Sequence, residues 1–479
     1  MEPVLTVAEM RAVDEAAQRG TGLSALIARA GTAVATEAMS MLGGAYGRSI
    51  AVVAGRGNNG NDGRFAAQLL TRRGARVVIT APGEALEQRS AVDLVIDAAY
   101  GTGFRGDYDA PDPGGAPVLA VDIPTGLSAE LGVAGRGAVR AIRTVTFGAW
   151  KPGLLLGSGP ELAGRVEVRP IGLPVAEAHR SMHLIADDDV VEMLPSREHS
   201  THKWASAVMV VAGSPGMHGA PVFVAAGAGR SGAGMVRLGI PGADPAGLPT
   251  SSAVARSLPS EGFDVAVLDE LHRFGALVIG PGLGTGDATA ESVRRLVAAA
   301  RIPTVIDADG LGALGDVSRA AGVIAARQGA PVVLTPHDGE FARLTGEPPG
   351  TDRVGSVRRL SEVLGAVVLL KGSTTIVAAP DGAVLLAAAG SSRLATAGSG
   401  DVLSGVIGAL LARGVEVQAA AALAAHVHGR AAGLGHAEGL VAEDLPELVA
   451  DVLSRAAVER EARAGERGPR RGTGPMPHG

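Results

Sequence analysis

The chain has 479 residues, 19% of them charged and 46% hydrophobic, with a formal net charge of −6 and a mean hydropathy of +0.24. Such a length exceeds one ordinary core and suggests two domains, the acidic balance disfavours a nucleic-acid partner, and no apolar run reaches the roughly 20 residues of a membrane span. The absence of cysteine removes disulfides, thiolate nucleophiles and zinc–sulfur sites at once.

At the start, Met1 to Arg19 mixes acids and bases at helical spacing, with no basic head leading an apolar segment. No secretory leader is read there, and a cytoplasmic protein is expected. Helices are predicted over Thr6–Arg19, Leu23–Met41 and Arg64–Arg73, and strands over Ser49–Gly55, Arg76–Thr80, Val92–Asp97, Pro117–Asp122 and Arg143–Gly148. That alternation makes a parallel sheet covered on both faces, a Rossmann-like α/β domain. After Arg165–Val168, the residues Pro170, Pro174, Pro195 and three consecutive acids, Asp187 to Asp189, read as a connection with the boundary near residue 180. A second α/β pattern runs through Ala207–Ala212, Ala276–Ile279, Thr304–Asp307, Pro331–Leu334, Ala366–Leu370 and Thr375–Ala379, and ends in helices at Val402–Ala412 and Ala419–Gly433. The organisation read from this is a domain at 1–180, a second at 181–456, and a disordered tail at 457–479, rich in Arg, Gly and Pro.

In an open parallel sheet, ligands bind beyond the carboxyl ends of the strands. Three polar motifs of the first half fall there: Gly55-Arg-Gly-Asn-Asn-Gly-Asn-Asp-Gly63, Asp97 followed by Gly101-Thr-Gly-Phe-Arg-Gly-Asp107, and Asp122-Ile-Pro-Thr-Gly126. A glycine-rich loop entering a helix offers N–H groups to a phosphate. The spacing is not the dinucleotide fingerprint, and Asn58, Asn59 and Asp62 supply oxygen ligands or ribose contacts instead. Asp97 and Asp122 each have a plain reading as a helix cap. Facing one crevice, however, they would raise each other's pKa unless a cation lay between them, and Asn59, Asp97 and Thr125 are hard oxygen ligands suited to hold one.

These motifs resemble the NAD(P)H-hydrate epimerase family, with its G-x-G-N-N-G-x-D-G loop, D-x-x-x-G-T-G-F segment and D-I-P-S-G turn. The similarity extends from the helix at Ala8–Arg19 through Lys151-Pro-Gly153. It implies a substrate loop at Asn58, Asn59, Gly60, Asn61 and Asp62, and further substrate contacts at Gly101, Thr102, Gly103, Phe104, Arg105, Gly106, Asp107 and Asp122. It also implies a potassium ion held by Asn59, Asp97 and Thr125. Thr125 stands where the family usually has Ser, and Asn61 where Gly is common. The chemistry fits: the ring nitrogen of a hydrated nicotinamide can expel the hydroxyl beside it, and water can return to either face. A carboxyl group must protonate the departing oxygen and deprotonate the incoming one, and Asp122 is the candidate.

In the second half the strongest signal is Ala397-Gly-Ser-Gly-Asp401 running directly into a helix. Small residues there bare consecutive N–H groups to a transferring phosphoryl, while the carboxylate takes a hydroxyl proton; the plain alternative is an ordinary helix cap. Four more motifs end strands: Gly280-Pro-Gly-Leu-Gly284, Asp307-Ala-Asp309, Thr335-Pro-His337-Asp-Gly-Glu340 and Lys371-Gly-Ser-Thr-Thr375. Together with His202-Lys203, Gly213-Ser214, Gly219-Ala220-Pro221 and Arg230-Ser-Gly-Ala-Gly234, they resemble the ribokinase-like NAD(P)H-hydrate dehydratase over Thr201 to Leu445. That resemblance implies hydrate contacts at Ala220, Gly284, His337 and Asp401, and nucleotide contacts at Lys371, Gly372, Ser373, Thr374, Thr375 and Gly400. Departures are Met217 for a usual Tyr, Gly312 for Asn, and Ser391-Ser-Arg-Leu394 for N-P-G-M.

Hydroxide leaves poorly, so phosphorylating the hydroxyl first would let phosphate depart with a push from the ring nitrogen. Asp401 would be the base, the N–H groups of Gly398 to Gly400 the phosphoryl cradle, and Mg²⁺ the bridge between the donor's phosphates. Bacterial members of the family use ADP and vertebrate ones ATP; the Ala- and Gly-rich text reads as bacterial, so ADP is expected. The implied substrates are the hydrates of NADH and NADPH, called NADHX and NADPHX. A homo-oligomer without nucleic-acid or membrane partners is expected. Two rivals stand: a vitamin or sugar kinase with an accessory Rossmann-like domain, and an N-terminal half that only senses nucleotides through a spent site.

Overall fold

The computed structural model describes residues 1–86, 92–177, 181–197, 200–249 and 251–466. The chain divides into two units, Glu2–His183 and, together with Met1, Leu184 onward.

The sheet of the first unit has six strands: β1 (Ser49–Ala54), β2 (Arg76–Thr80), β3 (Leu94–Ala98), β4 (Val118–Val121), β5 (Arg143–Phe147) and β6 (Arg165–Arg169). They lie side by side in the order β2-β1-β3-β4-β5-β6, every pair parallel. The chain leaves β1 toward β2 on one side and later returns to β3 on the other, so a crevice opens between β1 and β3 at their carboxyl ends. The central strands are apolar on both faces because helices and loops cover both. Val34 and Ala38 of α2 (Leu23–Leu42) and Ala66 and Leu70 of α3 (Asn58–Arg72) bury against Ile50, Val52, Leu94 and Ile96. Each fully buried Val, Leu or Ile stabilises by about 1.5–3 kcal/mol. Before them α1 (Val7–Thr21) starts at a capping box, Thr6 N donating to the Glu9 carboxylate at 2.7 Å. Trp150, half-buried, hydrogen-bonds Glu2 through its indole nitrogen.

Helix α3 starts at Asn58, six residues ahead of the expected Arg64, so the predicted glycine-rich loop is itself the first turns of a helix. Glycine makes this possible. A Cβ on Gly60 would stand 1.9 Å from Gly55 O, and one on Gly63 would stand 2.5 Å from the Ala98 Cβ. The bare helix therefore lies directly on the strand ends, and the Arg64 guanidinium closes the joint by donating to Gly55 O at 2.7 Å and Ala54 O at 3.1 Å.

Nine strands of the second unit are β7 (Ala207–Val211), β8 (Met235–Pro241), β9 (Val254–Leu258), β10 (Ala276–Ile279), β11 (Thr304–Ile306), β12 (Val332–Leu334), β13 (Val367–Leu370), β14 (Thr375–Ala378) and β15 (Val384–Ala387). Their order is β15-β14-β13-β12-β11-β10-β7-β8-β9, parallel from β9 to β13, with β14 antiparallel to both neighbours. Two helices, α4 (Gly219–Arg230) and α5 (Ser399–Ala412), approach at backbone distance: a Cβ on Gly405 would lie 2.1 Å from Val224 O, and one on Gly227 would lie 2.4 Å from Val402 O. Helix α5 is buried on every side from Val402 to Ala412, which explains its uninterrupted apolar text. Trp204 stands edge-on to Phe274 at 5.7 Å with the Arg273 guanidinium 4.1 Å over its ring.

Two expectations in this half are corrected. Asp187 to Asp189 are not a linker but the first turn of a helix, Asp187–Met193, where Asp189 accepts from Ala186 N at 2.8 Å and acids favour the positive helix end. The tail expected at 457–479 is helical to Glu466: α7 (Leu445–Glu466), the helix that follows α6 (Val417–Leu434), continues through strong helix formers, with Arg463 paired to Glu459 one turn back. Residues 467–479 of that expectation lie outside the described residues. Among the described residues no helix is long and apolar enough to cross a membrane.

Candidate functional site

Each unit gathers its motifs at the carboxyl edge of its own sheet. In the first unit they surround a cavity of about 470 Å³. Asp122 follows β4 with φ at +69°; its N–H donates to Val145 O at 2.7 Å, and Ile123 N donates to Val121 O at 2.9 Å across the bend. A non-glycine residue in this left-handed region costs about 1–2 kcal/mol, so its surroundings must hold it. Lys151 does so. Its ammonium lies 2.9 Å from Asp122 Oδ1 and donates to Thr146 Oγ1 at 2.7 Å and Phe147 O at 2.9 Å. The lysine is 1% exposed, a depth at which a charge persists only when paired and fully hydrogen-bonded. The other oxygen, Asp122 Oδ2, accepts from Thr102 N at 3.3 Å.

Asp14 of α1 and Asp62 of α3 line the same cavity. Burial, then Asp122, pushes Asp14 up to about 6 while Lys151 pulls it down; burial, then Asp122 and Asp14, pushes Asp62 up to about 8. Both shifts have the same origin, loss of solvent together with a like charge close by.

Asp97, at the end of β3 and 3% exposed, does not cap a helix. It accepts from Thr125 N and Thr125 Oγ1, both at 2.8 Å, and from Ala99 N at 3.3 Å. Burial still pushes it up to about 6, against the pull of those hydrogen bonds. Thr125 Oγ1 also accepts from Tyr100 N at 3.1 Å. Asn59 comes to the same turn: a Cβ on Gly101 would stand 3.5 Å from Asn59 Oδ1 and 3.1 Å from Asp122 Oδ2. Both amide atoms of Asn59 are buried without a partner among the described residues.

The turn also concentrates aromatic rings in a chain that is only 3% aromatic. Tyr100 and Phe104 stack at 4.6 Å, with Tyr108 edge-on to both, and the first two line the cavity as a platform for a flat ring. The predicted run divides at this point: Gly101 to Phe104 line the cavity, whereas Arg105 to Asp107 lead away, Asp107 accepting from Arg136 N at 2.9 Å. Asn58 lines it as well, Gly60 packs on Gly55, and Asn61 makes its helical bond to Gly57 O at 3.1 Å. Sequence reasoning missed Asp14, Tyr100, Thr146 and Lys151. The available signal was a lone acid on the apolar face of α1, beside Met10 and Val13, and a lysine just past a strand end.

In the second unit, α5 begins at Gly398 with φ at +90°, and Asp401 sits in its first turn. Burial, then Asp307, pushes Asp401 up to about 7 although Lys371 pulls it down. Asp307 ends β11 and is fully enclosed. Its Oδ1 accepts from Lys371 Nζ at 2.8 Å and Ala308 N at 2.9 Å, and its Oδ2 from Ser404 Oγ at 2.6 Å. Burial alone would raise its pKa, but the Lys371 charge and these hydrogen bonds hold it below the usual carboxylate value. Lys371, at the end of β13, is also 3.6 Å from Glu340 Oε2. Burial works against its charge, yet Asp307 and Glu340 push its pKa up. A Cβ on Gly400 would stand 3.5 Å from that ammonium, so the bare N-terminus of α5 faces it.

The remaining predicted residues arrange themselves around this core. Gly284, with φ at +81°, donates its N–H to Asp309 Oδ2 at 2.8 Å, and Ala220 lies in the first turn of α4 against Gly282. His337 caps the helix Asp338–Thr345, its Nδ1 accepting from Gly339 N at 3.0 Å and Glu340 N at 3.3 Å. Lys371 to Thr375 connect β13 to β14, with Gly372 and Ser373 exposed and Thr374 buried. His428 was not foreseen; it is buried beside the Ser399 backbone, and burial pushes it down to about 4.

The two sheet-edge sites and their acids define a two-domain α/β enzyme. Comparisons with known proteins identify its kind. A family model described as NAD(P)H-hydrate dehydratase matches residues 208–455, and one described as YjeF-related protein N-terminus matches 23–91 and 78–153. A bifunctional NAD(P)H-hydrate repair enzyme of Salinibacter ruber is 36% identical over 96% of both chains, and its Mycobacterium tuberculosis counterpart is 40% identical over 83% of this chain and 86% of that one. Among solved structures, an ADP/ATP-dependent NAD(P)H-hydrate dehydratase from Bacillus subtilis is 28% identical, with a TM-score of 0.48, over 57% of this chain and 97% of that one. The chain belongs to the family of bifunctional NAD(P)H-hydrate repair enzymes. The match runs through both units, which sets aside the reading as a vitamin or sugar kinase with an accessory domain.

Proposed function

We propose that the first unit interconverts the R and S hydrates of NADH and NADPH, and that the second removes water from the S hydrate at the expense of ADP. The observation carrying this reading is that one chain holds both acid sites, Asp122 in its cavity and Asp401 at the bare start of α5 beside Lys371. In the first, the Asp122 carboxyl donates a proton to the departing hydroxyl oxygen while the ring nitrogen's lone pair forms the iminium. It takes a proton back as water adds to the opposite face. Tyr100 and Phe104 offer the ring face against which the nicotinamide rests.

Potassium fits this site because the orphaned Asn59 Oδ1 is the acceptor atom a cation would satisfy, beside the oxygens of Asp97 and Thr125. When bound it would supply positive charge among the crowded carboxyls. In the second site Asp401 takes the hydroxyl proton, and Lys371 with the N–H groups of Gly398 to Gly400 receives the phosphoryl charge. Mg²⁺ would arrive with the donor's phosphates and offset their charge during the transfer.

The test is to incubate the protein with mixed hydrate epimers, with ADP, ATP or neither, in potassium or sodium, and follow the absorbance of reduced nicotinamide. Complete recovery with ADP, faster than spontaneous epimerisation and faster in potassium, is expected. Recovery of the S fraction alone would remove the first activity, recovery with neither nucleotide the second, and a preference for ATP the choice of donor.

A further inference from the structure

Lys151 offers three N–H groups and meets three acceptors, Asp122 Oδ1 at 2.9 Å, Thr146 Oγ1 at 2.7 Å and Phe147 O at 2.9 Å. None is left over for a substrate. Thr146 Oγ1 in turn lies 3.3 Å from the same Asp122 Oδ1, so two neighbours occupy that oxygen. Oδ2 lies on the other side, against Gly101 and Thr102, which line the cavity. The charged groups facing Asp122 are Asp14 from α1, Asp62 from α3 and Lys151 itself.

We infer that Lys151 is a positioning residue of the first site: by saturating itself on Asp122 Oδ1, Thr146 and Phe147 it commits Asp122 Oδ2 alone to proton exchange with the hydrate. This rests on Asp122 as the acid–base group. Two features argue against a mere staple. A buried ion pair stabilises no better than a packed apolar pair, so a fold with no use for the charge gains nothing from it. The pair also sits under a residue held at φ +69°, where the carboxyl direction is set by the backbone and needs only one fixed oxygen to become unique.

Lys151→Met keeps the length of the side chain and removes the ammonium. In the full chain its kcat for R-to-S conversion falls about 10²-fold with KM changed little, since a carboxyl free to swing is misplaced by an ångström or so. Lys151→Arg restores part of that kcat, and methylammonium restores part of it to Lys151→Ala. If Lys151→Met does not fold, Thr146→Val decides. It removes one acceptor of the ammonium while keeping its ion pair with Asp122, and kcat falls by far more than the accompanying loss of melting temperature accounts for. Loss of kcat only in step with thermal stability, with no recovery by arginine or amine, overturns the inference. Full epimerisation by Asp122→Ala is a different failure, that of the reading beneath it.

Discussion

Asp401 must be without its proton before it can accept one from the hydrate's hydroxyl. Burial and Asp307 push it up to about 7, so its base form grows as pH rises through that value. The expected kcat for dehydration at saturating ADP therefore climbs by about tenfold per pH unit on the acid side and levels off in alkali. Asp401→Asn keeps the size of the side chain but cannot take a proton. Its rate should fall at least about 10²-fold and lose that slope, while nucleotide titration gives the wild-type affinity. A sloped profile in the variant would remove Asp401 from the role of base. Asp401 and Asp122 were legible in the sequence because each sits at a strand or helix end beside small residues. Lys151 and Asp14 were not. Their meaning lies in a meeting with Asp122 that only the folded β4 and β5 ends and α1 bring about, and the local signals, a lone acid on an apolar helix face and a lysine past a strand end, do not point to it. His337 was legible as part of a motif, but nothing local revealed that its ring would take the capping place an aspartate usually holds.

At the level of elements, the start of α3 joins sequence to site most directly. Gly60 has no room for a side chain, with Gly55 O only 1.9 Å from where a Cβ would stand. Gly60→Ala must push Asn58, Asn59 and Asp62 off the strand ends. A loss of about 1–3 kcal/mol in the stability of the first unit is expected, with a larger proportional loss of epimerisation than of hydrate binding. Chemical denaturation and R-epimer rates measure the two, and a wild-type rate would show that the helix start need not touch the strands. The central strands were readable as apolar β-branched runs bounded by polar motifs. Three in the second unit escaped. Met235–Pro241 carries Arg237 and Gly239, Val254–Leu258 is a partly exposed edge, and Val384–Ala387 is a four-residue hairpin arm too short to show a period. Helix α7 escaped for a different reason: its charged text hides Leu445, Val449, Leu453 and Ala456, which bury in the second unit's core.

For the molecule as a whole, the residues named at the first site all lie within Glu2–His183 and those named at the second all lie beyond Leu184. Asp122→Ala should therefore leave dehydration of the S hydrate at the wild-type rate while the R hydrate disappears no faster than it epimerises spontaneously. Assaying resolved epimers checks this, and slowed S turnover would mean the sites are linked. The α/β class was legible from the alternation of strands and helices alone; the division, expected near residue 180, falls between His183 and Leu184. The same partition has a spectroscopic consequence. The chain's two tryptophans fall one to each unit, Trp150 next to Lys151 and Trp204 beneath Arg273, so its tryptophan emission sums one reporter from each unit. Replacing Trp204 with phenylalanine silences one and leaves a chromophore whose chain neighbour, Lys151, lines the first cavity, so ligand arrival there can be followed in real time with no reaction taking place.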